Sequence, residues 1–168
     1  MKNSFQWGKA LPRLSAKRLE LTSLKTEDAT NILAIFSDKE VMRYWGTPPL
    51  ENTSDARRFI SEALENFAKR ELFGWGIRWN KTGEIIGTST LLNLDSDNRR
   101  AEIGFAVARS FWGKGIATEA VETLIDFAFN TLDLHRLEAD VDPNNTASLR
   151  VLEKRSPPCI GSLCRCSR

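Results

Sequence analysis

Trp112-Gly113-Lys114-Gly115-Ile116-Ala117-Thr118 is the stretch that decides the fold. Two glycines one residue apart stand between an alternating segment and the strongest apolar stripe of the chain. That stripe is Ala117, Ala120, Val121, Leu124, Ile125, Ala128 and Leu132, with Glu119, Glu122, Asp126 and Asn130 off it, which predicts an amphipathic helix. The segment before the glycines, Ala101 to Ala108, alternates, with Ile103, Phe105 and Val107 on one face and Glu102, Gly104 and Ala106 on the other. A strand, a glycine turn and a helix therefore follow in order. At a helix start the first amides lack intrahelical partners and the dipole favours an anion, so such a turn suits a phosphate. Glycine removes the Cβ that would block its approach. The alternative is a tight turn that needs glycine only for its dihedral angles.

Upstream, Leu19, Leu21 and Leu24 read as a first strand, and Thr26 with Glu27 and Asp28 as the capped start of a helix running to about Phe36. Pro48 and Pro49 break the chain, and Phe59, Ile60, Ala63, Leu64, Phe67 and Ala68 place a second helix over 54–69. Trp75, Ile77 and Trp79 alternate into the turn Asn80-Lys81-Thr82-Gly83, and Ile85 to Leu91 returns as the second arm of a hairpin. Leu94 to Arg100 reads as a polar turn. Downstream, Arg136 to Val141 is a strand, Asp142-Pro143-Asn144-Asn145 a turn, and a short helix ends near Lys154. The order predicts an α+β domain whose antiparallel strands end in one strand–helix–strand crossover.

Two other phosphate binders compete for the glycine turn. A nucleotide P-loop needs G-x-x-x-x-G-K-[ST], which no segment matches. A dinucleotide turn is closer, since Glu138 stands where a ribose-binding acid would sit, but Thr118 holds the third glycine position and no second βαβ half follows.

The 168 residues suit one domain, and 41% apolar with 27% charged residues are ordinary globular values. No stretch is apolar for long enough to span a bilayer, and the first residues lack the apolar core of a secretory signal, so a cytoplasmic location is expected. The net charge of +2 comes from Arg155, Arg165 and Arg168 in an acid-free tail, and the near-neutral body predicts no nucleic-acid partner. All three cysteines, Cys159, Cys164 and Cys166, lie in that tail without paired C-x-x-C units, and His135 is the only histidine; no metal site is expected.

Several segments together resemble the ribosomal-protein-alanine (RimJ/RimL-like) acetyltransferase branch of the GNAT superfamily. They are Leu19-Glu20-Leu21, Gly83-Glu84-Ile85-Ile86-Gly87, Ala101-Glu102-Ile103-Gly104-Phe105, the turn from Trp112 to Ala120, and Asn145-Thr146-Ala147-Ser148-Leu149-Arg150-Val151-Leu152-Glu153-Lys154. The resemblance implies an acyl-CoA N-acyltransferase fold, a central, mostly antiparallel twisted sheet flanked by helices. It implies direct transfer of acetyl from acetyl-CoA to a primary amine, either a protein N-terminal α-amine or a small amine. On that resemblance Trp112, Gly113, Lys114, Gly115, Ile116, Ala117 and Thr118 cradle the CoA pyrophosphate. Phe105, Ala106 and Val107 pair with pantetheine, and Asn145 contacts the cofactor arm. Trp112 departs from the family's Gln or Arg.

Direct transfer needs a base for the amine and a proton for the departing thiolate. Glu102 is the candidate base, the alternative being a surface acid paired with Arg99 or Arg100. Ser148 is the candidate donor, or a plain first-turn serine. Asn145 is expected to cap its helix. Trp45, Trp75 and Trp79 either line the acceptor pocket or belong to the hairpin core. The domain is expected to span 1–154. Residues 155–168, with Pro157-Pro158 and every cysteine, depart from the family and suggest a frameshift or truncation that removes the last strands, bares the sheet edge and impairs the enzyme. A catalytically impaired acyl-CoA-binding module is therefore the rival function. The acceptor, set by loops such as 40–53, and the choice between monomer and homodimer stay open.

Overall fold

The computed structural model describes residues 5–153 and, for the backbone, 162–166. Seven strands form one sheet in sequence order: β1 (Leu14–Ser15), β2 (Leu19–Ser23), β3 (Leu72–Trp79), β4 (Ile85–Asp95), β5 (Arg100–Val107), β6 (Arg136–Asp140) and β7 (Ser162–Cys166). The first five pair antiparallel, whereas β5–β6 and β6–β7 are parallel. The helices are α1 (Ala29–Phe36), α2 (Thr53–Lys69), α3 (Ile116–Asn130) and α4 (Thr146–Glu153). No helix among the described residues is long and apolar enough to cross a membrane.

Alternation in the strands gives the sheet two apolar faces. Leu21, Ile77, Leu91, Ala101 and Ile103 join the Ala120, Val121 and Leu124 stripe of α3 in one core. Leu24, Ile85 and Ala106 join Ile32, Phe36 and Ile60 of α1 and α2 in the other. Ile85 and Ile86 serve opposite faces, and a bulge in the β3–β4 ladder between Ile77 and Arg78 accommodates the shift. Leu124 is 0% exposed at the centre of α3. Leu124→Ala should destabilise the domain by about 3 kcal/mol through lost transfer energy and the cavity left behind. The thermal midpoint, read by circular dichroism, is then expected to fall by about 10 °C.

Element ends differ from the sequence reading where polar side chains decide them. Thr26 does not cap α1: residues 26–28 form a 3-10 turn, and the Lys25 N–H donates to Asp28 Oδ2 at 2.9 Å. Asp28 is buried, accepts also from Arg78, and occupies the N-cap position of α1, where its side chain makes no capping bond to the helix. β4 extends two residues into the expected polar turn, to Asp95, with Asn93 in the left-handed region at φ 51, and the turn itself occupies residues 96–99. At the end of that strand, the side chain and then the backbone N–H of Asn98 hold the Asp95 carboxyl below the usual carboxylate range.

The tail corrects one further expectation. No strand was foreseen after 154, yet β7 lies parallel to β6 over five register pairs and covers the edge expected to be bare. Main-chain pairing to a ready edge needs little side-chain pattern, which is why composition did not signal it. The junction at 154–155 and Cys159 lie outside the described residues.

Candidate active site

The crossover creates a gap in the sheet. β5 pairs with β6 only at Arg100–Arg136, Ala101–Leu137 and Glu102–Glu138, and beyond that point β6 continues against β7. The Ala108 N–H donates to Ile86 O at 2.8 Å, which sets the alternation along β5. Ala106 therefore turns its main-chain groups towards β4, while those of Phe105 and Val107, beyond the last β5–β6 pair, point into the gap. Val107 O is engaged there by the indole N–H of Trp112 at 2.7 Å. Trp112 thus folds back on the strand that precedes the turn, and Phe105 keeps its main-chain groups facing the gap.

The glycine turn lies at the end of that gap. Gly113 and Gly115 sit at φ 71 and 73, and a Cβ on Gly113 would meet nothing within 4 Å. Gly115 is the N-cap of α3 and offers no side chain as a cap. The Glu119 N–H makes the first helical bond, to Gly115 O at 3.1 Å, which leaves the amides of Ile116, Ala117 and Thr118 without intrahelical acceptors. These groups suit a diphosphate: three donors, a helix dipole and no Cβ in front. They line a cavity of about 450 Å³ together with Phe105, Ala106, Val107 and Trp112. Arg43 and Arg150 bring two guanidinium groups to its lining and Glu40 one carboxylate, none of which the sequence reading had singled out. Lys114 is not part of the lining; its ammonium donates to Ser110 O at 2.8 Å.

A second cavity, of about 740 Å³, opens over the sheet on the α1–α2 side. Its floor is the small-residue row Gly74, Thr90 and Gly104, across which the strands pair. Glu102 stands at the end of this row and is half-buried. Its partner is neither Arg99, which pairs with Asp133, nor Arg100, which pairs with Asp95. Instead Asn93 Nδ2 donates to Glu102 Oε1 at 2.8 Å. Asparagine tolerates the left-handed backbone at this irregular point of the ladder, and there its amide reaches the carboxylate. Nothing local in the sequence links residues 93 and 102, so this partner could not be read from it.

Tyr44, Trp45, Phe105, Asn145 and Ser148 line both cavities, which therefore meet at these five side chains. Asn145 caps α4 as expected, its Oδ1 accepting from the Ser148 N–H at 3.1 Å, and so fixes Ser148 at the junction. The Tyr44 hydroxyl donates to Asn144 O at 3.2 Å, tying the loop after α1 to the turn before α4. Trp45 is 41% exposed at this junction; Trp75 also borders the larger cavity but is fully buried in the core with its indole N–H on Pro12 O, and Trp79 packs on Phe111. Glu138, the acid of the dinucleotide alternative, is paired with Arg136 at 2.7 Å.

Comparisons with known proteins agree with this geometry. Residues 18–155 match the family described as Acetyltransferase (GNAT) domain. The chain is 38% identical over 143 residues to "Uncharacterized N-acetyltransferase p20" of Bacillus licheniformis, covering 85% of this chain and 80% of that protein. It is 26% identical over 140 residues to the spermidine N(1)-acetyltransferase of Escherichia coli strain K12, covering 83% and 73%. Among solved structures, Mycobacterium smegmatis RimJ in complex with CoA-disulfide superposes with a TM-score of 0.74 at 26% identity, over 84% of this chain and 73% of that one. With its splayed sheet, its glycine turn at a helix start and this match over most of its length, the chain belongs to the GNAT acetyltransferase family of acetyl-CoA-dependent N-acetyltransferases.

Proposed function

We propose that the chain transfers the acetyl group of acetyl-CoA directly to a primary amine that carries further positive charge, a polyamine in preference to a protein N-terminus. The observation that carries this reading is the meeting of two cavities of different chemistry at Phe105, Asn145 and Ser148. The turn from Gly113 to Thr118 would hold the diphosphate, and the gap-facing main chain of Phe105 would pair with the pantetheine amides. Both would put the thioester at the junction. When bound, acetyl-CoA supplies an activated acyl carbon.

On the acceptor side, Glu62, Glu102, Asp140 and Asp142 line the cavity, and among the described residues no lysine or arginine does. Such a wall concentrates cations and favours an acceptor with a second ammonium group. The aromatic rings of Tyr44, Trp45 and Phe59 can take its methylene stem or its charge. Glu102 would draw the proton from the attacking amine, directly or through a water molecule, while Asn93 holds the carboxylate in place. Ser148 would return a proton to the departing thiolate.

A thiol-release assay with acetyl-CoA and a panel of polyamines, monoamines and peptides tests the reading. Polyamines are expected to show kcat/KM at least about fivefold above a monoamine of equal length, since one extra charge pair near the surface is worth about 1 kcal/mol or more. A preference for peptides would overturn the polyamine assignment. CoA binding with no thiol release from any amine would leave the impaired binding module as the function.

A further inference from the structure

We infer that Arg18, in the loop before β2, is the residue that makes the glycine turn competent for a diphosphate, although it does not line the cofactor cavity. The inference rests on the turn being the diphosphate site. Arg18 grips the turn from the outer side at three points. Its backbone N–H donates to Glu119 Oε1 at 2.6 Å, its Nε donates to Glu119 Oε2 at 2.6 Å, and its Nη1 donates to Lys114 O at 2.9 Å. The chain separation is about a hundred residues, so the contact exists only in the folded domain. The side chains are partly shielded, 40% exposed for Arg18 and 15% for Glu119, so the pair keeps more of its strength than one in open water.

Each contact has a consequence for an anion. Glu119 is the acid in the first turn of α3. There its charge suits the helix dipole, but it also stands beside the amides that a diphosphate would use, and an unpaired carboxylate would repel that ligand. Arg18 neutralises it and draws it outwards. The second effect is geometric. In a trans peptide the carbonyl and the following N–H point in opposite directions. With Lys114 O held by Arg18, the Gly115 N–H points away from Arg18, and it is Gly115, not Arg18 or Lys114, that lines the cavity. A Cβ on Gly115 would come within 3.4 Å of Arg18 Nη2, so the guanidinium packs directly against the turn. Arg18 is therefore a positioning residue, acting through Glu119 and the 114–115 peptide.

The test compares CoA with pantetheine, which lacks the diphosphate. In Arg18→Ala, calorimetry should show the Kd for CoA rising about tenfold, the loss of roughly one charge-assisted hydrogen bond. The ratio of CoA to pantetheine affinity should fall by a similar factor. A variant that had merely lost structure would weaken both ligands alike, and an unchanged ratio overturns the proposal. Glu119→Gln provides the second arm, because it removes the charge with little change of shape. In that background Arg18→Ala should cost about threefold or less, since there is less charge to neutralise. An undiminished tenfold cost there would contradict the neutralising role. If the unaltered chain bound no CoA at all, the diphosphate assignment itself would fail, before any statement about Arg18.

Discussion

Gly115→Glu is expected to raise the Kd for CoA by at least about a hundredfold. The Cβ of residue 115 points towards Arg18 Nη2, at 3.4 Å, so the loss does not come from a side chain filling the cavity. It comes first from charge. A new carboxylate would stand beside the Ile116, Ala117 and Thr118 amides and compete with Glu119 for Arg18. At separations of about 6 Å and an effective dielectric constant near 20, one added repulsion costs about 3 kcal/mol, which is a hundredfold. The second cause is the backbone, since φ at 115 is 73 and a side chain there carries about 1–2 kcal/mol of strain. That strain is small beside the stability of a domain, so the variant should fold, and its thermal midpoint measured without ligand checks that it does. Gly115→Asn is the control, because asparagine tolerates the left-handed region without adding charge.

Glu102→Gln should lower kcat by about a hundredfold, the lower range for loss of a general base, while KM for acetyl-CoA changes less than threefold. The separation between the two parameters follows from position. Glu102 lines the acceptor cavity and is not among the residues that line the cofactor cavity. Glutamine keeps the size and still accepts from Asn93 Nδ2, so the change removes basicity and little else. Steady-state kinetics with the best amine of the panel gives both values. A kcat within a factor of three of the parent would return Glu102 to the status of a held surface acid.

The fold was legible because its signals are local and agree with one another. The alternation of β5, the two glycines and the α3 stripe from Ala120 to Ala128 read correctly from adjacent residues, although Leu132 lies past the helix end and the buried Ile116 and Phe127 were not in the stripe; the structure places them in one strand–turn–helix unit. Asn145 as the cap of α4 was readable for the same reason. What the sequence did not disclose joins residues about a hundred apart along the chain, or two neighbouring strands at an irregular point of their ladder. Arg18 reaches Glu119, Asn93 reaches Glu102, and Tyr44 reaches Asn144, each contact set by how the sheet and loops close. The indole of Trp112 closing on Val107 O is local, yet it depends on the direction of one carbonyl, which residue type does not encode. β7 belongs to the same class, since pairing along the β6 edge is a main-chain event.

Titration of the chain with acetyl-CoA, in parallel with its Gly115→Glu variant, bears most directly on the diphosphate cradle from which the proposed chemistry follows. A one-to-one complex with micromolar affinity, in the usual range for such substrates, is expected for the parent, with at least a hundredfold loss in the variant. No binding by the parent, or equal affinity in both proteins, would contradict it.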